Sequence, residues 1–248
     1  MTALMGIDHR LNMAKLYLCT DAREKQGDLP DFLRAVFAGG VDLVQIRQKN
    51  MKPEDELAAL GVARDVAFGH QGLVVVNDNP QLAHEFASDV LHLGQDDEAP
   101  AKARPLLHQW AKIGRSTHST EQADAAIADP DVDYFCVGPV WQTPTKPDYT
   151  PVGLDLVKYA VDKAQPMEPG VKPWFAIGGI DHSTIDQVLE VGARRVCVVR
   201  AIYDADDPQE AASKLSEKLR QAWREDPRSE KYAFGASRSS VSGQAKLK

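Results

Sequence analysis

The chain has 248 residues, with 29 basic and 36 acidic side chains and therefore a formal net charge of −7. Its length fits one large α/β barrel or two small domains, and 43% hydrophobic with 26% charged residues excludes wholesale disorder. The net negative charge argues against nucleic acid as a partner, although a local cluster of cations could still attract small anions.

No apolar run approaches the roughly 18 residues of a membrane helix, and residues 1–15 lack the apolar core of a secretory signal. Cys19, Cys136 and Cys197 cannot all pair and show no CxxC spacing. We therefore expect buried packing cysteines rather than a disulfide framework or a zinc site, in a cytoplasmic protein.

Eight short apolar segments recur along the chain, as is typical of parallel strands buried on both faces. They cover residues 16–20, 43–47, 73–77, 90–94, 111–117, 134–140, 174–179 and 195–201. Helical periodicity follows each strand, at residues 30–37, 53–67, 81–87, 101–110, 120–128, 154–163, 184–191 and from 208 to about 223. This alternation predicts a (β/α)8 TIM barrel, whose usual size is roughly 250 residues. An open doubly wound sheet is the competing architecture, but the first strand–helix turn has no GxGxxG motif.

The predicted domain organisation is one catalytic barrel over residues 1–223, with a short N-terminal extension, followed by a tail. Residues 224–248 hold six basic and three acidic side chains and few apolar ones. Such a composition predicts a flexible tail.

Polar residues collect at the carboxyl ends of the predicted strands, where barrels of this type carry their active sites. Gln45, Arg47 and Lys49 follow the second strand at a spacing of two, which places them on one side of an extended backbone. Two cations on one inward face predict an anionic ligand. The alternative is a solvated loop with surface cations.

Two neighbouring strands deliver carboxylates to the same rim, because Asp78 follows the third strand and Asp97 follows the fourth. Oxygen ligands from two segments, with room for water and phosphate, suit Mg²⁺. The alternative is that Asp78 caps the helix beginning near Pro80 and that Asp97 lies in a turn.

The later strands end in groups suited to phosphate. Ser116 follows the fifth strand, and Thr143, Thr145 and Lys146 lie on a proline-stiffened loop after the sixth. Strand seven ends in Gly178-Gly179 and strand eight in Val199-Arg200, and phosphate sites after strands seven and eight are frequent in this barrel class.

In chain order, the strand-end segments read LYLCTD, VQIRQK, VNDNPQLA, HLGQDD, STHS, GPVWQTPTK, AIGGI and VVRAI. Together they resemble the thiamine phosphate synthase family over residues 16 to about 220. The resemblance implies a Mg²⁺-dependent transferase that joins a pyrimidine methyl diphosphate to a thiazole phosphate, releasing diphosphate. Its partners would be these two small phosphorylated substrates, without membrane or nucleic acid; a homo-oligomer is left open.

The resemblance also implies roles for individual residues. Those that match the pyrimidine diphosphate site are Gln45, Ile46, Arg47, Gln48, Lys49, Asn77, Ser116 and Lys146, of which Arg47, Lys49, Ser116 and Lys146 would act in catalysis. Those that match the thiazole phosphate site are Thr143, Pro144, Thr145, Gly179, Val199 and Arg200. Those that match the Mg²⁺ ligands are Asp78 and Asp97.

The sequence departs from the family pattern at Gln48, where an acidic residue is common, and at Arg200, where many relatives have serine. The hypothesis for the reaction is a dissociative substitution, since no Ser-His-Asp or Cys-His set is evident. Two alternatives remain open: a thiazole phosphate tautomerase-like barrel that works by acid/base chemistry without Mg²⁺, and a non-catalytic sensor of phosphorylated metabolites.

Overall fold

The computed structural model describes residues 5–143 and 150–233. Within them, eight parallel strands close into a barrel in chain order, and the last pairs with the first. The strands are β1 (Leu16–Thr20), β2 (Leu43–Ile46), β3 (Leu73–Asn77), β4 (Val90–Leu93), β5 (Lys112–Thr117), β6 (Tyr134–Val137), β7 (Trp174–Ile177) and β8 (Val196–Val198). The predicted (β/α)8 barrel is confirmed.

The helices surround this barrel. They are α1 (Ile7–Met13), α2 (Leu29–Ala38), α3 (Pro53–Phe68), α4 (Pro80–Phe86), α5 (Pro100–Ala103), α6 (Thr120–Ala128), α7 (Gly153–Lys163), α8 (Ile185–Glu190), α9 (Arg200–Tyr203) and α10 (Pro208–Glu225). None of the helices within the described residues is both long and apolar enough to cross a membrane.

Side chains of each strand alternate between two apolar layers, as the pleat of a strand dictates. On β2, Val44 and Ile46 pack in the large outer layer with the helices, whereas Leu43 belongs to the cluster inside the barrel. That inner cluster contains the three aromatic rings of Tyr17, Tyr134 and Phe175. The barrel is therefore filled below its mouth, and a ligand can reach only the carboxyl ends of the strands.

The N-terminal extension closes the opposite end of the barrel. Leu11 of α1 packs with the interior cluster, and so does Ala14, the residue that ends this helix. Arg10 is buried and donates to the carbonyl of Gly72 at 2.8 Å and to Asp89 at 3.2 Å. This helix was not predicted, because its seven residues carry only a short apolar pattern.

Several predicted segments are longer than the elements of the structure; the strand predicted at 134–140, for example, ends at Val137. The helix predicted at 101–110 stops early: α5 passes into a 3₁₀ turn, Arg104–Leu106, because Pro105 has no backbone N–H to continue the helix. The strand predicted at 195–201 ends at Val198, and Arg200 already begins α9.

Residues 224–233, which the sequence assigns to the flexible tail, are part of the folded structure. Helix α10 continues to Glu225, and Tyr232 is only 4% exposed. Residues 226–233 are held by polar contacts, in which Asp226 binds Arg194 and the Tyr232 hydroxyl binds Arg195, and by packing of the Tyr232 ring against Trp223. Residues 234–248 lie outside the described residues.

Candidate active site

A cavity of about 310 Å³ opens at the carboxyl ends of the strands. Its wall is built from strand ends all around the barrel. The sequence-predicted residues on this wall are Gln45, Arg47, Asn77, Asp78, Ser116, Thr143, Gly179, Val199 and Arg200. Two of the three buried cysteines, Cys19 and Cys197, also line it. Most of the predicted site residues therefore meet at the carboxyl-terminal face, where barrels of this type carry their active sites.

Gln45 is the polar group of β2 that faces the barrel interior, and it is 3% exposed. Its Oε1 accepts a hydrogen bond from the Cys19 thiol at 3.1 Å, which directs the amide nitrogen away from that sulfur. The Nε2 atom is buried and has no hydrogen-bond partner among the described residues. A buried donor without a partner is costly, so this atom is available to a ligand.

The segment after β2 does not keep the predicted alternation, because the strand ends at Ile46. Ile46 packs outward against the helices and not into the cavity. Gln48 turns to the β1–α2 loop, where it accepts from the Ala22 amide at 3.0 Å and donates to Glu24. Lys49 is exposed and lies outside the cavity wall. Of the five consecutive residues predicted here, the structure brings Gln45 and Arg47 to the wall.

The carboxylates of Asp78 and Asp97 lie side by side at the mouth. Partial burial and the adjacent Asp97 carboxyl together raise the pKa of Asp78 to about 6, although Asn77 and Arg47 partly offset the rise. The helix cap is Asn79, whose Oδ1 accepts from Leu82 N at 3.0 Å, so Asp78 is not the cap. Asp97 does lie in a turn, and its Oδ2 accepts from Gly94 N at 2.6 Å.

Ser116 is joined to a residue that the sequence interpretation left without a role. The Oγ of Ser116 lies 2.9 Å from Nε2 of His92, which is 7% exposed and also lines the cavity. The other ring nitrogen of His92 lies 3.0 Å from the Tyr134 hydroxyl. The signal that could have found His92 is its position, because it is a polar residue within an otherwise apolar strand.

The glycine-rich end of β7 packs directly on the loop that follows β6. Gly178 and Gly179 have φ values of 100° and 69°, which glycine adopts without strain. A Cβ at Gly178 would lie 2.4 Å from the Cα of Pro139, so no side chain fits there. The loop is fixed in return, since Val140 N donates to Ile177 O at 2.9 Å. This packing places the backbone of Gly178 and Gly179 on the β7 part of the wall, beside Ile177 and Asp181.

Arg200 is exposed at the start of α9 and lines two neighbouring spaces. One is the main cavity, and the other is a cleft of about 280 Å³ between the ends of β1 and β8 that also reaches Arg47. Of the loop predicted to hold phosphate, Thr143 is on the cavity wall. Pro144, Thr145 and Lys146 lie outside the described residues, so their roles stay predictions.

Known proteins resemble this chain along nearly the whole barrel. A family model described as thiamine monophosphate synthase matches residues 16–202. The chain is 53% identical over 206 residues to the thiamine-phosphate synthase of Acidothermus cellulolyticus, covering 83% of this chain and 95% of that protein. It is 52% identical over 213 residues to the Streptomyces avermitilis enzyme of the same name, covering 86% and 97%. A solved thiamine phosphate pyrophosphorylase from Pyrococcus furiosus matches with a TM-score of 0.75 at 26% identity, covering 88% of this chain and 99% of that one.

Proposed function

Since the chain belongs to the thiamine monophosphate synthase family and is a transferase of thiamine biosynthesis, we propose that its cavity joins a pyrimidine methyl diphosphate to a thiazole phosphate. The products are thiamine phosphate and diphosphate. The observation that carries this proposal is the division of the cavity wall into two different halves.

The two halves of the wall differ in what they present: one has the side chains of Arg47 and Asp78, with Asp97 against Asp78, and the other has glycine backbone flanked by Asp181 and Arg200. Arg47, Asp78 and Asp97 follow β2, β3 and β4, whereas the glycines and Val199 follow β7 and β8. In a barrel closed in chain order, β3 and β7 stand on opposite sides. A charged rim suits a diphosphate, and a glycine-lined rim lets backbone amides approach a monophosphate. The wall thus offers separate places for two anionic substrates.

In the proposed reaction, the bond between the pyrimidine methylene carbon and the diphosphate oxygen breaks, and its electron pair leaves with the diphosphate. The methylene cation is stabilised by the electron-rich aminopyrimidine. The thiazole nitrogen then supplies an electron pair and forms the new carbon–nitrogen bond. The guanidinium of Arg47 stabilises the charge that develops on the leaving group, which is electrostatic preorganisation.

The pair of carboxylates fits Mg²⁺. The carboxyl groups of Asp78 and Asp97 are in contact, and burial first and the neighbouring Asp97 second raise the pKa of Asp78 to about 6. A cation bound there would relieve this repulsion. No cluster of three or more His, Cys, Asp or Glu ligands occurs among the described residues, so water and substrate phosphate would complete the shell, as Mg²⁺ usually requires. When bound, the ion neutralises diphosphate charge.

The chain's own nucleophiles take no part in this scheme. Cys197 lines the cavity, but burial raises the pKa of its thiol well above the ordinary value. It therefore stays protonated and unreactive. A substitution between two bound substrates needs positioning and charge stabilisation instead of a covalent enzyme intermediate.

The deciding experiment measures diphosphate release with a pyrophosphatase-coupled phosphate assay, using both substrates. Arg47→Ala is expected to lower turnover by about 10²–10³, the usual cost of removing one such charge-stabilising group. Lys102→Ala is the matched control, because this lysine is exposed on α5 outside the wall and its removal should cost less than about tenfold.

Other outcomes would separate the alternatives. A tautomerase-like enzyme would release no diphosphate and would be insensitive to EDTA. A sensor would bind the phosphorylated compounds without turnover. Equal activity of Arg47→Ala and wild type would contradict the role given to Arg47.

A further inference from the structure

His92 connects the wall of the cavity to the interior of the barrel. Its Nε2 is 2.9 Å from Ser116 Oγ, and its Nδ1 is 3.0 Å from the hydroxyl of Tyr134. Tyr134 is fully buried among the interior aromatics and does not line the cavity. The three groups form a chain that begins in the apolar core and ends at a substrate-facing hydroxyl.

The direction of the hydrogen bonds in this chain follows from burial. Burial raises the pKa of Tyr134 well above its ordinary value, so its phenol keeps the proton. A buried hydroxyl that fails to donate leaves an unsatisfied donor, which is expensive. The Tyr17 hydroxyl, as a donor, stabilises the Tyr134 oxygen, so Nδ1 of His92, 3.0 Å away, is the acceptor that the Tyr134 proton can use. A neutral imidazole that accepts at Nδ1 carries its hydrogen on Nε2. Nε2–H then donates to Ser116, whose own proton must point elsewhere.

We propose that His92 is a positioning residue that fixes the Ser116 hydroxyl as a hydrogen-bond donor toward the cavity. The free Nε2 group of Gln45 is a second donor on the same wall, held in its orientation by the Cys19 thiol. Two fixed donors select an aromatic ring that presents acceptor nitrogens. The identification of this ring as the aminopyrimidine rests on the proposed function. The direction in which the Ser116 hydroxyl donates does not.

The first test is spectroscopic and needs no activity. Long-range ¹H–¹⁵N correlation spectra of the protein labelled in histidine, with His92→Asn used to assign the signal, are expected to show the Nε2–H tautomer. Tyr134→Phe removes only the hydroxyl and should shift the same signal toward a mixture of tautomers. A wild-type ring protonated on Nδ1 alone would overturn the proposal.

The second test is a double-mutant cycle on synthase activity. Tyr134→Phe should raise the KM for the pyrimidine diphosphate about five- to tenfold, the range of one net hydrogen bond, with a smaller change in kcat. In a Ser116→Ala background the same substitution should have no further effect, because the group that transmits it is gone. An equal loss in both backgrounds would mean that Tyr134 acts only through packing, and it would overturn the proposal. Absence of any synthase activity would contradict the proposed function and leave the tautomer test standing.

Discussion

Asp78 at the mouth and Asp226 at the opposite end of the barrel start from the same ordinary carboxyl pKa of 3.8. At the mouth, partial burial and the like charge of Asp97 raise the pKa of Asp78 to about 6. At the other end, hydrogen bonds from Arg228 and the charges of Arg228 and Arg194 outweigh burial and lower the pKa of Asp226 to about 2. One carboxylate is destabilised by its surroundings, and the other is stabilised by them.

Other polar groups follow the same division. Near the mouth, the buried amide nitrogen of Gln45 has no partner among the described residues. At the closed end, Arg195 is 1% exposed and donates to the carbonyls of Ala14 and Asn12 and to the Tyr232 hydroxyl. Arg195 at the closed end is thus satisfied within the protein and supports stability, whereas the amide nitrogen of Gln45 at the mouth is available to a ligand. This is the separation of roles expected of the two faces of such a barrel.

The largest effect should come from removing charge at the mouth. Asp78→Asn should lower turnover by about 10²–10³ and weaken Mg²⁺ activation, because one oxygen ligand loses its charge. Asp96→Asn is the matched control: it is exposed, one residue from Asp97 and outside the cavity wall. The measurement is diphosphate release as a function of Mg²⁺ concentration, and an unchanged Mg²⁺ dependence in Asp78→Asn would remove this residue from the ion site.

The same substitution should leave the apo protein at least as stable as wild type. A carboxyl whose folded pKa is raised binds its proton more tightly when folded, so its contribution to stability is lost as pH rises from about 4 through 6. Asp78→Asn abolishes that loss. Urea unfolding at pH 5 and pH 7.5 would show it as a smaller decline than in wild type, and a strongly destabilised variant would mean that Asp78 serves the fold.

The next effect concerns Asp226, whose side chain is 1% exposed. A lowered folded pKa contributes stability that is present above pH 4 and is lost as pH falls through about 2. Asp226→Asn should therefore cost about 2 kcal/mol of unfolding free energy at pH 7, with turnover of the remaining folded protein unchanged. Asp31→Asn, on an exposed pair with Arg34, is the control and should cost less than about 0.5 kcal/mol.

Denaturant unfolding between pH 2 and pH 7 is the measurement. The difference between Asp226→Asn and wild type should shrink as the pH falls below 4. A difference that is constant across this range would show that packing, and not charge, gives Asp226 its stabilising role.

The fold could be predicted from the sequence because each strand is a continuous apolar run and each is followed by a helical period. The meeting of Asp78 and Asp97 at one rim followed from the same reasoning, since parallel strands end on the same side. Local sequence patterns therefore predicted which residue follows each strand. That information was enough to gather Gln45, Arg47 and Ser116 at one cavity.

What could not be predicted depends on contacts between distant segments. Gln48 lies in a motif that resembles a substrate site, yet its amide binds the β1–α2 loop more than 20 residues away. The ring of His92 is hydrogen-bonded to Tyr134, which is 42 residues away in the chain, so its orientation cannot be read from the strand alone. Extrapolating the period of β2 to Lys49 also fails, because the strand ends three residues earlier. The two-residue periodicity of side chains holds only as far as the strand keeps its hydrogen bonds to its neighbours.

The smallest effect is expected at the closed end of the barrel, from a substitution at Tyr232 in the segment after α10. The Tyr232 hydroxyl accepts from Arg195 at 2.9 Å and donates to the Asn12 carbonyl at 3.1 Å, so it joins α1, β8 and the segment after α10. Tyr232→Phe keeps the ring against Trp223 and removes only this junction. It should cost about 1 kcal/mol of unfolding free energy without altering kcat or KM. Thermal unfolding checks the cost, and a loss of activity instead of stability would mean that the two ends of the barrel are coupled rather than separate.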